Sequence, residues 1–86
     1  MTVVRVYDVL YIERRKSDGD FEIINCPLEW FPKLLGATRK ERNNFRLIGV
    51  GAGDDAEGIH WPDLDEDLNI AELFVRMDKW LNRGTG

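Results

Sequence analysis

The chain is poor in the residues that build many sites. Among 86 residues there is one cysteine and one histidine. A single cysteine makes no internal disulfide and no Cys-rich zinc site. A single histidine leaves a transition metal few nitrogen ligands. No apolar run approaches the roughly 18 residues that cross a bilayer. The start, Met1-Thr2-Val3-Val4-Arg5, lacks the basic beginning, apolar stretch and small-residue cleavage site of a secretory signal. A phosphate-binding loop is missing too, because Gly49-Val50-Gly51-Ala52-Gly53 is not followed by a helical pattern. Nor is the composition that of a disordered chain, since 43% of residues are hydrophobic. These absences predict one folded cytoplasmic domain over residues 1–86, with no membrane, metal or cofactor.

What is present is an uneven charge. The formal net charge is −4. Residues 1–53 balance at +2 and residues 73–86 at +2, while residues 54–72 carry eight acids and no base. Those acids are Asp54, Asp55, Glu57, Asp63, Asp65, Glu66, Asp67 and Glu72. An acidic balance argues against generic nucleic-acid binding, which depends on lysine and arginine neutralising phosphates.

Periodicity predicts a small α+β domain with a mainly antiparallel sheet. Val4, Val6, Leu10 and Ile12 share one strand face, with Asp8 as a bend, a bulge or a break in the segment 3–14. Ser17-Asp18-Gly19-Asp20 signals a hairpin turn, and residues 21–25 the returning strand. Pro27 opens a short helix that Pro32 kinks or restarts, and Gly36 stops it. Thr38 and Glu41 have capping-box spacing before a short helix or turn over 39–44. Strands are expected over 45–50 and 59–61, a loop over 51–58, and an acidic connection over 63–67. Asn69 and Glu72 open a final helix whose apolar positions are Ile70, Leu73, Phe74, Met77 and Leu81, widened by Trp80.

Each candidate for chemistry has a plainer structural explanation. Asp63-Leu64-Asp65-Glu66-Asp67 has the spacing that begins a calcium loop, but Leu68 replaces the required glycine and Phe74 the required glutamate. His60 reads first as a surface residue or an aspartate's hydrogen-bond partner. The hydroxyls of Ser17 and Thr38 belong to a turn and a cap. Cys26 reads as a small, partly buried hydrophobe, with a dimer-linking thiol as the alternative. Trp30 and Trp61 read as core, and Trp80 as a residue that can join a contact surface. Acids before the last helix complement its macrodipole, yet 63–67 supplies four where one or two suffice.

The chain also resembles a known family. Pro27-Leu28, Trp30-Phe31-Pro32, Leu34, Ala37-Thr38, Arg42, Leu47-Ile48-Gly49, Gly58-Ile59-His60-Trp61-Pro62, Leu64-Asp65-Glu66-Asp67 and Ile70 are similar to the domain of unknown function 2442 family, as is the turn Ser17-Asp18-Gly19. The similarity covers roughly residues 3–75, and the block from Gly58 to Asp67 is its specific part. Residues 50–57 depart from it by being longer and more acidic, and the last helix runs on past the usual end. The resemblance implies a small α+β domain of bacteria and their mobile elements with no established catalysis. It further implies, for many short relatives, a gene arrangement like a toxin–antitoxin pair. Some longer relatives append a helix-turn-helix, for which no residues are expected to remain here.

The expectation is a non-enzymatic, antitoxin-like or regulatory module that neutralises a basic protein partner. Its candidate contact residues are Asp54, Asp55, Glu57, His60, Trp61, Asp63, Asp65, Glu66 and Asp67. The alternative is an acidic mimic of nucleic acid that inhibits a nuclease or another effector, and a small hydrolase or metal enzyme comes last. Homodimerisation is left open.

Overall fold

A computed structural model describes residues 2–16, 18–49 and 56–83. Two three-stranded antiparallel sheets carry the α+β fold. The first joins Val3–Val6 (β1), Val9–Arg15 (β2) and Phe21–Pro27 (β3) in the order β1-β2-β3. The second joins Arg46–Ile48 (β4), Gly58–Trp61 (β5) and Glu66–Asn69 (β6) in the order β4-β5-β6. Between the sheets in sequence lie a 3₁₀ turn at Leu28–Trp30 and two short helices, Pro32–Leu35 (α1) and Arg39–Asn43 (α2). A longer helix, Ile70–Asn82 (α3), follows β6.

The first apolar segment reverses on itself at Tyr7 and Asp8. Val6 then lies opposite Leu10, and Val4 opposite Ile12. Asp8 favours the reversal because a short polar side chain competes with ladder bonds for backbone groups. Cross-strand partners share a face, so the reversal keeps the even-numbered residues together. Val6, Leu10 and Ile12 are buried, and the rows continue onto β3 as Leu10 opposite Cys26 and Ile12 opposite Ile24. In the β2–β3 connection Gly19 takes φ 92° and its N–H donates to Lys16 O at 3.0 Å. Ser17 lies outside the described residues.

The prolines act differently from one another. Pro27 ends β3 and leads into the 3₁₀ turn, whereas Pro32 is the first residue of α1, where its missing N–H costs nothing. The capping box at α2 forms as its spacing predicts. Thr38 Oγ1 accepts from the Glu41 N–H at 3.1 Å, and Glu41 Oε1 accepts from the Thr38 N–H at 2.9 Å.

No residue of α2 is buried, yet one side chain fastens it. The Arg42 guanidinium donates to Leu34 O and Leu35 O, each at 2.9 Å, and to Tyr7 O at 3.3 Å. It thereby satisfies carbonyls that the end of α1 leaves without intrahelical partners. The Arg42 carbonyl in turn accepts from the Trp61 indole N–H at 3.0 Å. One residue links α1, the β1–β2 turn and β5.

Both sheets and α3 share one hydrophobic core. Trp61, Leu10, Ile12, Leu34, Ile59 and Ile70 are wholly or almost wholly buried within it. From α3 come Ile70, Leu73 and Met77, with Phe74 packed at the margin. Leu81 does not join them, although its spacing places it on the same stripe; it is 63% exposed. The hydrophobic stripe outlasts the sheet it packs on. Trp80 instead meets Trp30 edge-on, with ring centroids 6.2 Å apart. Arg76 lies over the Trp30 ring and Arg83 over that of Trp80.

Candidate functional site

The acidic segment is not a connection between elements, as its charge suggested, but a hairpin. Pro62 to Asp65 make its turn and Glu66–Asn69 its return strand. Pro62 suits the second position of a turn because its ring fixes φ, and the Leu64 N–H closes that turn onto Trp61 O at 3.2 Å. Asp65 then takes φ 49°, a left-handed conformation that aspartate tolerates better than most side chains. Only Leu68 is apolar within β6, so alternation alone could not reveal the strand. The macrodipole explanation is corrected accordingly. Glu66 and Asp67 lie in a strand paired to β5, and only Asn69 and Glu72 stand at the start of α3.

The structure distributes the candidate residues over several environments. Asp54 and Asp55 lie outside the described residues. Trp61 is 0% exposed, as its core reading expects, so it is corrected as a contact candidate: it has no surface to offer. Asp63 is exposed and accepts from Asn44 Nδ2 at 2.9 Å. Asp65 is exposed, and its main-chain oxygen accepts from Lys33 Nζ at 3.0 Å. Glu66 is half-buried and pairs across the strands with Trp61 on the inward side. His60 and Asp67 pair directly across β5 and β6, with Nδ1 2.5 Å from Oδ1. Glu57 is exposed, and its backbone joins β4 to α3: its N–H donates to Ile48 O and its carbonyl accepts from the Ile70 N–H, both at 2.9 Å.

What the fold brings together is a recess on the outer side of the second sheet. Its volume is about 350 Å³, and Glu57, Asp67 and Glu72 line it together with Ile48, Gly58 and Leu68. Gly58 forms the floor, where a side chain would crowd its neighbours. A Cβ at that position would sit 3.0 Å from Leu68 O and 3.2 Å from the Ile48 side chain. Sequence reasoning assigned Glu72 only to capping. Asn69 Oδ1 does accept from the Glu72 N–H at 2.9 Å, but the reciprocal bond that completes the box at α2 is not formed here. The Glu72 carboxylate is therefore available to the recess. The signal was the i+3 spacing from Asn69, but which way the carboxylate turns depends on β6 lying beside the helix.

The acids are spread along the surface. Among the described residues, no group of three or more His, Cys, Asp or Glu could hold a metal ion. Likewise, no helix formed by the described residues is long and apolar enough to cross a membrane. Cys26 is wholly buried on the core face of β3, so it forms no intermolecular disulfide while the domain is folded. Burial pushes its thiol up to about 11, against a smaller opposing pull from Arg76.

Comparison with known proteins gives a match to a family model. No curated protein and no solved structure matches the chain significantly. A family model described as a protein of unknown function, DUF2442, matches residues 17–77, more than half of the chain and inclusive of the whole acidic hairpin. The chain, with its two small antiparallel sheets and terminal helix, belongs to the DUF2442 family.

Proposed function

We propose that this protein is a non-enzymatic, antitoxin-like binding module that occludes a basic protein partner through the outer side of its second sheet. The observation that carries this reading is the recess above Gly58, where Glu57, Asp67 and Glu72 stand around the exposed apolar side chain of Ile48. An arginine or lysine side chain needs that combination: apolar surface along its stem and carboxylates at its head. Ile48, which is 40% exposed, replaces Trp61 as the apolar contact. The wider excess of acid over residues 54–72 would add steering toward a basic surface.

The test begins with a basic protein captured on the immobilised chain from host lysate at low salt and eluted by raising the salt. Its dissociation constant is then measured against the native chain and against a Glu57→Gln, Asp67→Asn, Glu72→Gln triple variant. We expect the triple variant to bind at least ~100-fold more weakly, on the scale of a few lost charge contacts, with an unchanged circular dichroism spectrum. If it binds as the native chain does, the recess is not the contact. Rescue of growth when the captured partner is toxic would support the antitoxin-like role. Competition by duplex DNA for the same partner surface would favour nucleic-acid mimicry instead.

A further inference from the structure

We infer that the cleft between α2 and the β1–β2 turn binds the phosphate group of a small organic phosphate ester. The inference stands apart from the proposed function, because this cleft shares no lining residue with the recess of the second sheet.

The cleft has a volume of about 350 Å³, within the lower range of pockets that hold small ligands. Val6, Tyr7 and Asp8 line it from the end of β1 and the turn, and Arg39, Arg42 and Asn43 from α2. Those three positions stand at i, i+3 and i+4, so they share one face of the helix. The short helix therefore presents two guanidinium groups and an amide to one side, and its side chains, not its main-chain N–H groups, supply the donors.

Charge gives the sign of the ligand. Arg39, Lys40 and Arg42 stand in α2 against one acid, Glu41, and Glu41 Oε1 is committed to the Thr38 N–H in the capping box. Among the described residues no carboxylate forms an ion pair with Arg39 or Arg42. Like charges one helical turn apart repel each other. Arg42 is also half-buried, where an uncompensated charge is costlier than in open water. An anion between the two guanidinium groups relieves both costs. Asp8 is the one acid in the lining; it opposes the ligand's charge, and the two arginines outweigh it.

The donors favour phosphate over carboxylate. The bonds that fasten α2 use three of the five guanidinium N–H groups of Arg42, one each on Nε, Nη1 and Nη2. One N–H on each terminal nitrogen is left, and the three bonds already fix the group's position, so little freedom is lost on binding. Arg39 and Asn43 are exposed, and neither side chain has a hydrogen-bond partner among the described residues. A carboxylate presents two oxygens in one plane, whereas a phosphate ester presents three around a tetrahedral centre and up to two negative charges. Donors that converge from two guanidinium groups and an amide suit the second shape and the larger charge. Tyr7, 53% exposed beside them, offers the organic part of the ester an aromatic surface.

Titration of the nitrogen-15-labelled chain with phenyl phosphate, inorganic phosphate and acetate, followed by amide chemical shifts, tests the inference. Phenyl phosphate should saturate with a Kd of about 1 mM or below, inorganic phosphate should bind more weakly, and acetate most weakly. The shifts should concentrate at residues 7–8 and 39–43. Arg39→Gln removes an exposed side chain without disturbing the fold and should weaken phenyl phosphate at least ~10-fold, the scale of a charge-assisted hydrogen bond. Asp8→Asn should tighten it roughly threefold, the scale of one solvent-screened charge nearby. Lys40→Gln, on the same helix but outside the lining, should change it by less than about twofold. A titration that never saturates overturns the inference. Equal losses from Lys40→Gln and Arg39→Gln also overturn it, because they mark diffuse attraction and not a site. Acetate or inorganic phosphate binding as tightly as phenyl phosphate overturns the assignment to a phosphate ester.

Discussion

Replacing Arg42 tests whether a hydrogen-bond clamp, and not burial, holds the two short helices in place. The perturbation is Arg42→Ala, with Arg42→Lys as its control. In the folded chain the guanidinium donates to Leu34 O and Leu35 O at 2.9 Å and to Tyr7 O at 3.3 Å. The two short bonds are charge-assisted but half-exposed, so each is worth about 1 to 1.5 kcal/mol net. The longer, exposed bond to Tyr7 adds little. Leu34 O also accepts from the Ala37 N–H at 3.2 Å, which keeps it partly satisfied after truncation. The alanine variant should therefore lose about 2 to 3 kcal/mol, and for a domain of this size that lowers Tm by roughly 10 to 20 °C. Lysine can aim one ammonium at one carbonyl but cannot span both, so it should recover about half. Urea unfolding followed by far-ultraviolet circular dichroism and tryptophan fluorescence reads both values. The clamp account is falsified if alanine costs less than about 1 kcal/mol or if lysine matches arginine.

Further outcomes follow from three single residues. Gly49 has φ 112°, and a Cβ there would lie 2.7 Å from Glu57 Cβ and 2.9 Å from Glu57 N. Gly49→Ala should thus cost about 2 to 4 kcal/mol, combining strain with overlap. Gly19 has φ 92° and open space around it, so Gly19→Ala should cost only about 1 kcal/mol of backbone strain. Equal costs for the two would show that overlap at Gly49 is relieved. Cys26 should react with a thiol reagent only at the rate of unfolding; fast reaction of the native state would contradict its burial. The same burial gives stability a pH dependence. Below the ordinary thiol value of 9.0 both states keep the proton, whereas between 9.0 and about 11 only the unfolded thiol ionises. Stability should fall as pH rises through that window, and the native-minus-Cys26→Ala difference in urea midpoint isolates the contribution.

Sequence patterning located most elements of this fold, and its failures have a common cause. The capping box at Thr38 and Glu41, the cap at Asn69 and the core face of β1 and β2 are local or strictly periodic features, and the structure contains all three. β6 escaped notice because strand pairing with β5, not its own composition, makes it a strand. For Trp61 the sequence supports both a core and a contact reading, and only the first holds. Its actual position depends on Arg42, 19 residues away, which accepts its indole proton. Leu81 has the right spacing for burial but lies beyond the end of what α3 covers.

The candidate site divides in the same way. The sequence by itself determined that acid is concentrated in residues 54–72 and that Glu57 and Asp67 belong to it. Composition and order along the chain suffice for that. It could not place Glu72 in the same recess as Glu57, nor make Gly58 the floor between them, because those relations arise from the register of β4, β5 and β6 and from the helix that follows. The place of β3 at the edge of its sheet is likewise invisible in the strand's own residues. Whether a strand has a neighbour on each side depends on how the whole chain is ordered in space, and tertiary structure alone decides that.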